Sequence, residues 1–358
     1  MLVRNPDLLI YWQAGKLLVK DLESGRAMLS SPEVVGLLDL FDRPRDAREA
    51  AAGYSEYEPR SVERGVARLT KLGLLVPAEG AQRKLSRIAT WKENVASAHY
   101  HIASRDIPYL QSRRAIERDW MTLVASGRRP RRFKRYPGGW RKKLSRSADS
   151  PAPGKLEEVL EARRTVRRFS REPVRFEDLS RIVNGTWGRT GWLDAGAIGR
   201  MPTKTSPSAG ALHPIECYVL AWNVRDLPAG LYHFDVGSDD LRQLRRGDFR
   251  AEAVRCASGQ SFVGRGAFLC VMTAMFERTL WKYEVESAYR VIWLDAGHLA
   301  QTFCLLSTAL NLGPFTTAAI QDSVLERLIG IDGVREFPLY LCGAGVRATA
   351  ALQPNFTV

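Results

Sequence analysis

The stretch Arg163-Arg164-Thr165-Val166-Arg167-Arg168-Phe169 sets four arginines within six positions. It follows Lys155-Leu156-Glu157-Glu158-Val159-Leu160-Glu161, where Leu156, Val159 and Leu160 recur at helical spacing and the acids occupy the first turns. A helix therefore ends where the arginines begin. Two readings fit them. Arginines at a helix C-terminus answer its macrodipole. Four exceed what that requires, and planar multidentate guanidiniums suit a phosphate that the C-terminus itself would repel.

Further along, Ser206-Pro207-Ser208-Ala209-Gly210-Ala211-Leu212-His213-Pro214 leads into a strand at Glu216–Trp222. Small residues let backbone amides approach a flat ligand, and the serines add hydroxyls, although an ordinary turn into a strand has the same look. A third segment, Glu277-Arg278-Thr279-Leu280-Trp281-Lys282-Tyr283, lies between an apolar strand and a long apolar helix. A phenol titrates near ~10, a neighbouring ammonium favours its phenolate, and a general base works best when its pKa approaches the operating pH. By itself the dipeptide equally describes a surface lysine beside a half-buried ring.

In this order the three segments resemble the azoline-oxidising flavin dehydrogenases of thiazole- and oxazole-modified peptide biosynthesis, the SagB/ThcOx type within the nitroreductase superfamily. The resemblance covers roughly residues 150–347. It rests on the Arg-Arg-Thr-x-Arg-x-Phe motif, the Pro207–Pro214 loop, the Lys282-Tyr283 pair, Tyr289-Arg290 opening the long helix, Gly297-His298-x-x-Gln301 within it and Leu312-Gly313 at its end. It implies an α+β fold: a nitroreductase-like FMN domain at 151–358, dimeric, with an antiparallel-dominated sheet flanked by helices. FMN would have its phosphate among Arg163, Arg164, Thr165 and Arg167, helped by Gly313 and Arg347. Pro207, Ser208, Ala209 and Gly210 would approach the isoalloxazine from the partner subunit, with Gln301 nearby. Tyr283 would take the ring proton of a thiazoline or oxazoline, Lys282 would assist, hydride would pass to flavin N5, and dioxygen would reoxidise the cofactor.

Residues 1–80 have a different character. Leu17–Asp21 reads as a strand, Ser31-Pro32-Glu33 opens a helix carrying Val34, Leu37, Leu38 and Phe41, and a second helix spans Ser61–Leu69 before Gly73 and the strand Leu74–Val76. Helix, helix, then a strand pair is a winged-helix pattern. It resembles the small peptide-recognition domains attached to modified-peptide enzymes, which take a leader peptide as an added strand. Residues 81–150 read as a basic connecting segment. Between Arg128 and Arg146, the cations Arg128, Arg129, Arg131, Arg132, Lys134, Arg135, Arg141, Lys142, Lys143 and Arg146 stand without an acid among them, interleaved with Phe133, Tyr136 and Trp140 and broken by Pro130, Pro137, Gly138 and Gly139. A solvated linker is the favoured reading, with docking of an acidic peptide or partner next. Ahead of it, Trp91, His99, His101, Arg105 and Asp106 form a cluster that also precedes the flavin module in the family, the histidines reading as structural.

Composition bounds the rest. The chain has 358 residues, 45% hydrophobic, long enough for two domains with a full core. Its net charge of +14 is concentrated in the basic segment, and the second helix of the N-terminal region is too weakly charged to favour DNA or RNA. Cys217, Cys256, Cys270, Cys304 and Cys342 are odd in number and widely spaced in apolar runs, which reads as reduced core residues without a metal site. The N-terminus lacks a charged-then-apolar signal, and the longest apolar run, Ala267–Phe276, is too short for a bilayer, so a cytoplasmic enzyme with no membrane role is expected. The long helix from Tyr289 to Leu310 is apolar on nearly every face, more than one domain can cover, and the resemblance implies a homodimer there. A ribosomally made precursor peptide and a cyclodehydratase are the implied partners. Rival readings are an NAD(P)H-dependent nitro- or quinone reductase, a flavin dehydrogenase acting on another peptide bond, and a non-catalytic leader-binding subunit.

Overall fold

The computed structural model describes residues 1–22, 24, 26–81, 99–100, 113–127, 129–144, 155–283, 285 and 287–348. Most of the Trp91–Tyr109 cluster, His101 included, together with Arg128 and Arg146, lies outside them. The chain forms two compact units, residues 1–108 with 285–287, and residues 109–284 with 288–358.

The first unit runs β1 (Leu2–Arg4), β2 (Leu8–Gln13), β3 (Lys16–Asp21), β4 (Ala27–Leu29), α1 (Pro32–Asp39), α2 (Ala47–Gly53), α3 (Pro59–Lys71) and β5 (Leu75–Pro77). Proline opens α1 and α3, where a missing N–H costs nothing. Asp46 and Glu49 form a capping box at α2, a helix whose Ala-rich sequence gives no apolar period. Strands β2, β3 and β4 make an antiparallel meander. Strand β5 pairs antiparallel with β1 at the start of the chain. Leu38, Phe41, Val62, Val66, Leu69 and Leu75 form this unit's own core.

The second unit contains α4 (Arg113–Ala125), β6 (Arg141–Lys143), α5 (Leu156–Ala162), α6 (Phe176–Trp187), β7 (Gly191–Asp194), β8 (Arg200–Thr203), β9 (Ile215–Ala221), β10 (Gly230–Asp235), β11 (Asp240–Arg246), α7 (Arg250–Cys256), β12 (Phe268–Met275), α8 (Phe276–Leu280), α9 (Ser287–Ala309), β13 (Leu312–Thr317), α10 (Asp322–Ile329) and β14 (Glu336–Val346). Seven strands form one sheet in the order β13-β14-β12-β9-β10-β11-β6, every pairing antiparallel. Strand β9 is buried on both faces. Cys217, Val219 and Ala221 pack with α6 and α9, while Tyr218 and Leu220 pack with α7 and α10. Helices thus cover both sides of the sheet, which is why the strand reads as a continuous apolar run rather than an alternating one. All five cysteines are free and buried. No helix among the described residues is long and apolar enough to cross a membrane.

Helix α9 buries Ile292, Ala296, Leu299, Ala300 and Phe303 but leaves Trp293 at 43% and Leu294 at 57% exposure. One unit covers only part of this helix.

For the described residues 129–144 of the basic segment, the solvated-linker reading is corrected. Lys134 pairs with Glu336, Arg135 with Asp235 at 3.7 Å and Arg141 with Asp240 at 3.5 Å. Tyr136 Oη lies 2.9 Å from Tyr218 Oη, the Gly138 carbonyl accepts from Arg242, and residues 141–143 become the seventh strand beside β11. The segment is a strap laid across the sheet. Its neutralising acids sit from 99 to 202 residues downstream, so a local charge run gave no sign of them.

A candidate active site at the Lys282–Tyr283 turn

Helix α8 follows β12 without a break and ends in a tight turn, where Lys282 and Tyr283 N–H both donate to the Thr279 carbonyl, at 3.2 and 2.9 Å. This irregular backbone lets adjacent side chains face one way, which a continuing helix would forbid. Their common target is Gly210: a Cβ built there would lie 2.7 Å from Tyr283 Oη and 2.9 Å from Lys282 Nζ. Gly210 has φ +60°, so glycine is required both for conformation and for space. Lys282 Nζ also lies 4.9 Å from the Trp120 ring centroid and 5.4 Å from that of Tyr283. Burial lowers the Lys282 pKa. Met201, Ile198, Leu212 and Trp281 form the apolar cluster against which Trp120 and Tyr283 pack.

The loop facing this turn is held from below. Ala211 and His213 join Gly210 in the left-handed region, at φ +53° and +46°, a conformation L-residues keep only when the surroundings enforce it. Ser208 Oγ donates to Asp295 on α9 at 2.5 Å and accepts from His213 N–H at 3.0 Å. Ser206 Oγ lies 2.6 Å from Thr302 Oγ1. His213 Nε2 meets the Pro202 carbonyl at 3.1 Å, which makes that nitrogen the protonated one. Burial, with the Lys204 charge behind it, pushes the His213 pKa down to about 3, so the ring is neutral at pH 7. Burial raises Asp295, although the Ser208 hydrogen bond opposes it. Lys204 keeps partial solvent exposure, yet burial lowers it to about 8. Lys204, Ser206, Ser208, His213 and Asp295, with Ile215 and Leu299, line a small pocket under the loop.

Arg278 ties these parts together. Its Nη1 is 2.6 Å from Glu216 and 3.3 Å from the His213 carbonyl, and its Nε donates to the Arg131 carbonyl of the strap at 3.1 Å. Burial alone would raise Glu216, but Arg278 and the hydrogen bond with His233 at 2.7 Å hold it well below the usual carboxylate range. One guanidinium thus pins α8, the end of the loop and the strap to the start of β9.

The arginine motif forms a second locus. It leaves α5 as extended chain along β13: Val166 N–H donates to the Pro314 carbonyl at 2.8 Å, and a Cβ on Gly313 would strike Val166 at 2.7 Å. Arg347 bridges to Phe169 and donates to the Leu312 carbonyl at 3.0 Å. Arg163, Arg164, Thr165, Arg167, Gly313 and Arg347 are thereby brought together. Arg164 answers the helix end, donating to the carbonyls of Glu161 and Arg163 at 2.7 Å each, so for this residue the capping account holds. Arg163 is half-buried and acts electrostatically on Cys304, one turn beyond Gln301 on α9. Helix α9 spans both loci: Asp295 grips the loop and Cys304 adjoins the arginines, nine residues and therefore about 13 Å apart along the axis. Gln301 is exposed between them.

The nitroreductase family model matches residues 160–346, more than half of the chain. The chain belongs to the nitroreductase family. Members of this family typically bind a flavin, and the described family domain holds both loci. The chain is 25% identical to the trifolitoxin operon protein TfxC of Rhizobium leguminosarum bv. trifolii, over 84% of this chain and 86% of that one. It is 23% identical to the trifolitoxin-processing protein TfxB of the same organism, over 82% of each. A nitroreductase-type crystal structure from Anabaena variabilis superposes with a TM-score of 0.51 at 24% identity, over 60% of this chain and 44% of that longer one, which supports the fold.

Sequence reading missed Arg278 as a brace, Lys204, and Trp120 on α4, a helix inside the supposed linker. Arg278 stood within a quoted segment, but its partners lie on other elements. Asp295 had the one available signal, a carboxylate interrupting an apolar helix.

Proposed function

We propose that this nitroreductase-family chain is an FMN-dependent dehydrogenase that oxidises thiazolines or oxazolines in a ribosomally made peptide to thiazoles or oxazoles. The observation that carries the reading is the convergence of Lys282 and Tyr283 on Gly210, a base and a cation aimed at the one loop position with no side chain. Relatives named for trifolitoxin support a role in maturing a peptide product. The residues fit the cofactor: Gly210 leaves room for a flat ring, while among the described residues no carboxylate pairs with Arg163 or Arg167, which can meet a phosphate. Arg164, Thr165, Gly313 and Arg347 complete that end, and Pro207, Ser208, Ala209, Gly210 and Gln301 the other. Bound FMN would supply the two-electron acceptor that no side chain offers.

The chain's own part is proton handling and positioning. Tyr283 Oη takes the proton from the azoline ring. Lys282, desolvated against Trp120, favours the phenolate and meets charge developing on the ring. Neutral His213 and the Ser208–Asp295 bond keep the loop at the height where Gly210 faces the pair. The exposed Trp293–Leu294 face of α9 is the surface a second copy would cover, and residues 1–80 would bind the precursor's leader in winged-helix fashion. A cyclodehydratase would form the azolines consumed here.

The test compares wild type with Tyr283→Phe and Lys282→Ala for flavin absorbance and azoline oxidation. Both variants should keep flavin and lose about 100- to 10,000-fold in turnover. Full azoline activity in both removes the reading. Nicotinamide oxidation without azoline oxidation transfers the chain to the nitro- or quinone reductases.

A further inference from the structure

The ribbon formed by β7 and β8 borders the Lys282–Tyr283 turn, because Ile198 and Met201 pack with Trp281 and Tyr283. On its β7 strand stands Trp192, 37% exposed, and three guanidiniums surround that one indole. Arg189 lies 4.9 Å from the ring centroid, Arg200 5.3 Å and Arg132 5.6 Å. They arrive from three places: the end of α6, the paired strand β8 and the strap. Phe133 meets the same ring edge-on at 6.1 Å. Arg129, three residues before Arg132, donates to the Ile198 carbonyl at 2.6 Å and to Met201 Sδ at 3.0 Å, with its guanidinium 5.0 Å from the Trp281 ring. Arg132 is held lower than an ordinary arginine by burial and by the Arg129 charge.

Among the described residues, no carboxylate forms an ion pair with Arg132 or Arg200. Asp239 reaches Arg189 at 3.9 Å. Asp194 stands opposite Arg200 in the ribbon register, but its Oδ1 accepts from Gly196 N–H and no ion pair joins it to Arg200 among the described residues. Gathering like charges around an aromatic post is unfavourable until an anion arrives. The ribbon has only two strands, so an extended chain can lie along it, and the part-exposed indole of Trp192 is itself an apolar contact suited to a peptide rather than to a free phosphate.

We infer that Trp192 with Arg132, Arg189 and Arg200 is a docking site for a carboxylate-rich stretch of the peptide substrate, held while its modified residue lies at the Lys282–Tyr283 turn. The inference rests on the peptide substrate proposed above and adds what the enzyme reads in it: acidic residues near the azoline. The arginines supply attraction and approach rate, and the indole keeps them apart and oriented.

The experiment uses the full chain and two fluorescein-labelled synthetic peptides of equal length, one rich in Glu and one with Gln at the same positions, read by fluorescence anisotropy without turnover. Wild type should bind the Glu peptide about tenfold more tightly than the Gln peptide at low salt, with the preference shrinking as salt rises. Arg132→Gln with Arg200→Gln should abolish most of that preference. Arg200→Gln alone, at an exposed residue whose described contact is Trp192, should weaken it without touching the fold. Arg250→Gln with Arg255→Gln removes the same charge elsewhere and should leave the preference intact. Equal binding of the two peptides overturns the site. So does an equal loss in the charge-matched control, which would reduce the effect to net charge. Displacement of a weakly held Glu peptide by pyrophosphate, with pyrophosphate binding lost in the double variant, would assign the arginines to phosphate instead. Because no turnover is read, each of these failures leaves the azoline reading to its own assay.

Discussion

Gly210→Ala puts the geometry of the site to a direct measurement. Two separate costs meet at this residue. The backbone sits at φ +60°, and an L-residue held in the left-handed region costs roughly 1–2 kcal/mol. The added methyl would lie 2.7 Å from Tyr283 Oη and 2.9 Å from Lys282 Nζ, closer than such atoms can approach. Both obstructing atoms are the ends of long side chains, so they swing aside rather than break the core. Stability should therefore fall only by the backbone term, about 1–2 kcal/mol, or roughly 2–8 °C in Tm for a unit of this size. Activity should fall much further, because displacing reacting groups by about 1 Å costs on the order of 100-fold. The assay pairs a thermal melt with azoline turnover on flavin-loaded protein. A variant that melts several degrees lower yet turns over at the wild-type rate would refute the claim that Lys282 and Tyr283 act at Gly210. An unchanged melt would refute the strained loop.

Arg163→Ala with Arg167→Ala should remove charge-assisted phosphate contacts of about 1.5–3 kcal/mol each, and flavin released on denaturation should drop to a small fraction of one per chain. Arg278→Met leaves Glu216 buried beside His233 alone and should cost about 3–5 kcal/mol, read as a lower urea midpoint. In the wild type, Glu216 sits below its ordinary pKa of 4.5, so its contribution to stability is complete above that pH and fades as the pH falls below it; urea midpoints measured from pH 7 down to pH 3 follow this directly. Deleting residues 1–80 should raise KM for a full-length precursor far more than for a short azoline fragment, and equal losses in kcat/KM on both would place this segment in the active site or the core.

What could be read without coordinates was what is written locally. The helix before the arginines, the strand after the Pro207–Pro214 loop, the helix opened by Pro32 and the helix over Ser61–Leu69 follow from spacing, caps and proline. Residue types in series pointed to the family and its two loci. Pairings over long separations were not legible. The basic strap looked solvated because its acids, Asp235, Asp240 and Glu336, arrive on β10, β11 and β14. Whether Lys282 and Tyr283 act as a pair could not be read from adjacency, since side chains next to each other on a helix diverge. The tight turn after α8 aims both at Gly210, and Arg278 fixes that turn to β9 and to the strap. Sequence by itself determined which chemical groups this protein carries and which local shapes hold them; the antiparallel sheet and its buried ion pairs decided which groups meet, because burial and charge pairing are settled only when distant strands are side by side.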